Sequence, residues 1–239
     1  MEIDGKRKRS PLYAAENFVS GKIKEAIWNP KNMSSQYDIM LRDPQVLKNG
    51  QTVTFGSKLD FAGTGAGFLY TGSDWMLHFA PQKPAQFDER YMFQLEKPPQ
   101  KSGGNPDLNI IYDGDDVLVR SIANGRYIRF ITNYGGTNMF HVNADEHFAK
   151  YEYRTEGAGT MEAFRIVATG DGAVRGEPVI MDGKRTYALV NPRSIAYISA
   201  SPYSGVRSAA NAGDRESWFI TDTNGGVPPS LDQVSAVMQ

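Results

Sequence analysis

The chain has 239 residues, 40% of them hydrophobic and 22% charged, with a formal net charge of −1 and no cysteine. That size suits one large β domain or two small ones, and the balanced charge supplies no basic field for nucleic acid. Without cysteine there is no disulfide framework and no thiolate chemistry, and no apolar run approaches the ~20 residues of a membrane span.

Residues 1–35 read as an irregular N-terminal arm. It opens with the basic run Lys6-Arg7-Lys8-Arg9, read first as a solvated end. One short helix over 14–27, interrupted by Gly21, is the only regular element expected there. No apolar core follows the basic residues, so no secretory signal of the usual kind is seen. The expected location is the cytoplasm, or the exterior by a non-classical route.

Residues 36–224 read as strands and turns, and 225–239 as a C-terminal tail beginning with Gly225-Gly226-Val227-Pro228-Pro229. Three short phrases echo one another: Phe93-Gln94-Leu95, Phe164-Arg165-Ile166 and Trp218-Phe219-Ile220. Each sets an aromatic two positions before an aliphatic, so both side chains face one side of a strand. A weak repeat of roughly 50–70 residues, met three times, predicts three lobes.

The first lobe, over about 50–98, is expected to place strands at 53–55, 68–70, 75–79 and 91–95. The second, over about 113–170, places them at 117–120, 127–131, 139–142 and 163–167. The third, over about 175–222, places them at 179–181, 186–190, 195–199 and 217–221. Asn124-Gly125 and Asp182-Gly183 are read as hairpin turns between the first two strands of lobes two and three. Both central residues of a type I′ turn need positive φ, which suits Asx-Gly. Gly63-x-Gly65-x-Gly67 takes the same place in lobe one and reads as a hairpin tip, since no helix follows to cradle a phosphate. Phe79, Val142 and Ile198 are expected in one register of the third strands. Twelve strands in three four-strand units predict an all-β chain folded as a β-trefoil; a jelly roll or two-sheet sandwich is the alternative.

The phrases Asn124-Gly125-Arg126-Tyr127-Ile128 and Asp182-Gly183-Lys184-Arg185-Thr186-Tyr187, each followed later by an aromatic-x-aliphatic strand, resemble lobes of fascin-like and agglutinin-type β-trefoils. The resemblance covers roughly 45–222 and implies a binding module. The Gln-x-Trp signature of ricin-type lectin lobes is absent; Met92-Phe93, Ala163-Phe164 and Ser217-Trp218 stand in its place.

Three clusters mix an aromatic with short polar side chains near expected turns: Asp74, Trp75 and His78; Tyr134, Asn138, Asn143 and Asp145; Tyr203, Arg207 and Asn211. Sugar C–H faces stack on aromatic planes while Asp, Asn and His hold hydroxyls. These clusters are therefore the candidate ligand-binding residues for a carbohydrate or glycoconjugate. A defence lectin or a receptor-binding toxin component fits this reading. A fascin-like trefoil contacting a protein partner is the alternative. A third reading is an enzyme built on His141, Asp145 and His147, which share a face with Asn143 if their strand continues. No Gly-x-Ser-x-Gly elbow is present, and Asp113, Asp115 and Asp116 surround Gly114 as a turn does. No catalytic residue, metal or cofactor is expected.

Overall fold

In the computed structural model, the residues described are 40–60, 67–99, 109–132, 138–170, 176–201 and 205–229. The N-terminal arm and the end of the tail lie outside them.

The echoed phrases form three strands that carry the centre of the molecule. Among the described residues, twelve antiparallel strands build one all-β unit. They are β1 (Gln51–Ser57), β2 (Phe68–Thr71), β3 (Leu77–Ala80), β4 (Phe93–Glu96), β5 (Asp116–Ser121) and β6 (Tyr127–Ile131). The rest are β7 (Met139–Ala144), β8 (Ala163–Thr169), β9 (Thr186–Asn191), β10 (Ala196–Ser201), β11 (Gly205–Ala209) and β12 (Trp218–Thr221).

Six strands pair in a closed circuit, β1–β4–β5–β8–β9–β12 and back to β1. The register repeats around it. Val53 faces Phe93, Val117 faces Phe164, and Tyr187 faces Trp218. Two residues further along, Leu95 faces Val119, Ile166 faces Leu189, and Ile220 faces Phe55. Because side chains alternate along a strand, both sets point inward, two residues apart on each of β1, β5 and β9, and so stack in layers. All twelve are buried in one hydrophobic cluster. Closure also leaves the six strands without a free edge. The Trp218 indole N–H is satisfied by the Ile198 carbonyl at 3.1 Å.

The remaining strands form hairpins β2–β3, β6–β7 and β10–β11, and β11 packs against both β3 and β7. At another part of the fold, three segments that each precede β1, β5 or β9 join in a ring of backbone hydrogen bonds. Leu47 N donates to Val179 O (2.9 Å), Val179 N to Ile111 O (2.9 Å), and Ile111 N to Leu47 O (3.1 Å).

The third repeat departs from the expected strands. Residues 179–181 belong to this ring, where Ile180 bridges Val46, and form no hairpin strand. The first strand of that repeat is β9, the second β10, and the third is β11, which the sequence reading lacked. Ile198 accordingly lies in β10, and Asp182-Gly183 precedes β9. The start of the expected tail is tied down: Asp222 N donates to Gly226 O (2.9 Å), and Gln45 Nε2 to Pro228 O (3.0 Å).

Between β7 and β8 stands a helix, α1 (Glu146–Glu156), where the other connections into β4 and β12 carry single 3-10 turns. Asp145 caps it, its Oδ1 accepting from Phe148 N at 2.8 Å. Just beyond, Glu162 is buried with its Oε1 3.2 Å from Arg129 Nε, close enough for an ion pair but not aligned as a hydrogen bond. Burial raises the Glu162 carboxyl above the ordinary glutamate value, and the Arg129 charge offsets only part of that.

Two outcomes follow. Trp218→Ala or Phe164→Ala is expected to cost about 3–5 kcal/mol in urea unfolding, the cost of emptying a fully packed aromatic site. For Glu162 the folded-state pKa is the higher one, so its contribution is present below the unfolded value and is lost as pH rises through the folded one. The stability difference between Glu162→Gln and the parent should therefore move in the variant's favour as pH rises above about 4.3, the ordinary glutamate value.

Candidate functional site

Trp75 is not the start of a strand, as the sequence pattern led one to expect. It sits in the β2–β3 connection with φ of 65°, a left-handed conformation unusual for a bulky residue, and is 49% exposed. Several contacts hold it there. Gly72 N donates to Met76 O (2.9 Å) and Trp75 N to Gly72 O (3.2 Å). Asp74 Oδ1 accepts from Met76 N (3.1 Å), and His78 Nε2 lies 2.8 and 2.9 Å from the two Asp74 oxygens. Only glycine fits at 72, since a Cβ there would come within 2.4 Å of both Asp74 Oδ1 and the His78 ring. From the next hairpin, Val142 N donates to Trp75 O at 2.7 Å, and Met76 bridges His141.

Burial alone would raise the Asp74 carboxyl. The His78 hydrogen bond, the Met76 amide and the His78 charge outweigh it and hold the group below the usual aspartate value.

Around this turn lies an open cleft of about 540 Å³, lined by Tyr70, Asp74, Trp75, His78, Arg90 and Asn124 among others. Tyr70 and His78 stack at 5.4 Å, cross-strand partners of β2 and β3. Arg90 is held by Asp88 through contacts of 2.7–3.1 Å. Asn124 is fixed at the β5–β6 turn, its Oδ1 accepting from Arg126 N (2.9 Å) and its Nδ2 donating to Val142 O (3.0 Å). The Arg126 guanidinium lies over the Trp75 ring, 5.9 Å from its centroid.

The first of the three clusters is thus brought together: Asp74, Trp75 and His78 share one turn. The second is dispersed. Asn138 is exposed just before β7, and Asn143 lies within β7 with its Oδ1 buried and without a hydrogen-bond partner among the described residues. Asp145 caps α1 and approaches Arg126 at 3.9 Å, which links it loosely to the Trp75 turn. Tyr134 lies in the β6–β7 connection and Tyr203 in the β10–β11 connection, both outside the described residues. Asn211 and Arg207 are exposed, Arg207 on β11 and Asn211 beyond it. The strand carrying His141 stops at Ala144, so His141 and Asn143 do not share a continuing strand face with Asp145 and His147. His147 instead stacks with Tyr151 on α1, centroids 6.2 Å apart.

The sequence reading missed Tyr70, Arg90 and Arg126 as cleft or rim residues. Arg126 had been read only as part of a hairpin phrase. What sets it beside Trp75 is the pairing of the Trp75 turn with β7, which no local pattern encodes.

No family model matches the chain, and no curated protein matches it. Solved structures are similar in fold. A Caenorhabditis elegans protein of unknown function aligns with a TM-score of 0.50 and 11% identity, over 76% of this chain and 99% of that one. An SDF2-like protein from Arabidopsis thaliana aligns with a TM-score of 0.52 and 8% identity, over 74% of this chain and 94% of that one. At such identities the likeness is one of fold. No helix among the described residues is long and apolar enough to cross a membrane.

If Trp75 is held in a strained conformation for its exposed ring, relieving the strain should not destabilise the protein. Left-handed backbone costs an L-residue roughly 1–2 kcal/mol. Trp75→Gly is therefore expected to leave the melting temperature unchanged or raise it by a few degrees. A clear fall would mean that the ring mainly supports packing.

Proposed function

We propose that the chain is a β-trefoil of three four-strand lobes, and that it is a non-enzymatic protein binding carbohydrate on a glycoprotein or glycolipid. The fold reading is supported by the threefold recurrence of register, from Val53–Phe93 to Tyr187–Trp218, and by the hydrogen-bonded ring of Leu47, Ile111 and Val179. The single observation that carries the function is Trp75, turned outward at φ of 65° beside a cleft that holds Asp74, His78, Arg90 and Asn124. An exposed indole offers a flat apolar face to sugar C–H groups. The carboxylate, imidazole, guanidinium and amide offer both acceptors and donors for hydroxyls. Because the turn is tied down on both sides, little ordering is left for a ligand to impose.

A protein-binding role is the second reading. It is favoured by α1, where Phe148 and Tyr151 are 37% and 55% exposed among charged neighbours. Aromatic residues flanked by charge are typical anchors of protein interfaces.

A broad glycan array separates the two. The expected result is binding to a restricted set of glycans, reduced at least tenfold by Trp75→Ala and unaffected by Tyr151→Ala. Silence across the array from folded protein, with capture of a protein partner that Tyr151→Ala abolishes, would transfer the function to α1.

A further inference from the structure

Arg126 does not line the cleft itself but lies beside Trp75 at its edge, and it differs from the lining arginine, Arg90. Arg90 has its guanidinium engaged by Asp88 at 2.7–3.1 Å. Arg126 is half-exposed, and among the described residues its guanidinium makes no hydrogen bond. The Asp145 carboxylate it approaches stands at 3.9 Å through Oδ2, beyond hydrogen-bond reach, and is anchored by Oδ1, which accepts from the amide of Phe148. The guanidinium lies over the indole of Trp75 instead, 5.9 Å from its centroid, a contact that uses none of its N–H donors. Arg120 adds a second positive charge to the same turn, its Nε donating to Gly125 O at 3.2 Å. The turn itself is rigid, since Asn124 bonds both Arg126 N and Val142 O.

We infer that the Trp75 cleft takes an acidic saccharide, one whose ring lies on Trp75 and whose carboxylate or sulfate is gripped by Arg126. This rests on the carbohydrate reading above and narrows it to a ligand class. A solvent-accessible guanidinium with no carboxylate among the described residues hydrogen-bonded to it, beside an exposed aromatic, matches a planar or tetrahedral oxyanion better than a neutral hydroxyl. A sugar bearing an acid group within one ring's width of its apolar face supplies both contacts at once. Asp74 and the Asp88–Arg90 pair then face the uncharged hydroxyl side.

The test uses the full chain and a matched probe series: galactose-terminated glycans, their 6-O-sulfated forms, and galacturonate-terminated forms. Affinities are measured by calorimetry for the parent, Trp75→Ala, Arg126→Gln and Arg126→Lys, each checked for an unchanged melting temperature. The parent is expected to prefer one of the acidic forms by roughly ten- to hundredfold, the worth of one charged hydrogen-bonded pair. That ratio should shrink as salt rises from about 0.01 to 0.15 M, over which the Debye length falls from about 30 to 8 Å. It should collapse to about one in Arg126→Gln and persist in part in Arg126→Lys. Which form is preferred distinguishes carboxylate from sulfate. Equal binding of neutral and acidic forms overturns the inference and leaves the carbohydrate reading standing. A loss of neutral and acidic forms alike in Arg126→Gln also overturns it, since Arg126 then only positions Trp75. No binding of any probe or array glycan by folded parent removes both.

Discussion

The ring of three backbone hydrogen bonds among Leu47, Ile111 and Val179 is the constraint from which the rest of the architecture follows. Each of these residues both donates and accepts within the ring, so no segment can shift without breaking two bonds. An unpaired buried backbone group costs about 1–3 kcal/mol, which makes such a shift expensive. All three side chains are fully buried. Each segment then feeds a strand of the closed circuit, so fixing the ring fixes the phase of β1, β5 and β9 together. The two layers of core residues are the consequence. Val53, Val117 and Tyr187 reach the interior at one height, Phe55, Val119 and Leu189 at the next.

Within that repeated frame the layers are filled differently, and this asymmetry is informative. Trp218 meets Tyr187, whereas Phe93 and Phe164 meet valines. The bulkier pair also carries polar handles, and each is satisfied: the indole by Ile198 O, and the Tyr187 hydroxyl by Ile180 N at 2.7 Å. Burial raises the Tyr187 phenol to about 12, so it remains a neutral partner across ordinary pH. Tyr187 thus ties β9 to the 178–180 segment that precedes it. The third repeat uses side-chain hydrogen bonds where the others rely on apolar contact, which suits a barrel filled by unequal side chains.

The sequence disclosed the aromatic-x-aliphatic strands because their spacing is local: Phe93 and Leu95 announce a buried face within three residues. It disclosed the Asn124-Gly125 turn for the same reason. It misplaced the third repeat because Val179-Ile180-Met181 followed by Asp182-Gly183 has the composition of a strand and a hairpin turn. The signal that resolves it was present elsewhere. Val46-Leu47-Lys48 precedes Asn49-Gly50, and Ile110-Ile111-Tyr112 precedes Asp113-Gly114, so an apolar pair shortly before Asx-Gly is itself a repeated element. All three glycines take positive φ, 77°, 93° and 70°. At the site, Asp74, Trp75 and His78 were visible as neighbours in sequence. Arg126 was not, because its place depends on an inter-hairpin bond from Val142 to Trp75.

The outward face of the molecule shows where the three repeats have parted. In the first, the β2–β3 turn locks a tryptophan, a carboxylate and an imidazole together. The second has put an eleven-residue helix into its last connection, and the N-cap of that helix, Asp145, leans toward Arg126. The helix therefore borders the Trp75 turn and shapes its electrostatics. Asp145 at 3.9 Å is near enough to favour the position of Arg126 and too far to satisfy its donors. Direct pairing, as Asp88 pairs with Arg90, would have closed the fork; a carboxylate removed altogether would have left the guanidinium without orientation. The geometry between these extremes keeps the cation over the aromatic ring without a hydrogen bond to Asp145, as the proposed acidic ligand requires. The proposed site is thus built from two hairpins, the first supplying the ring and the second supplying the charge.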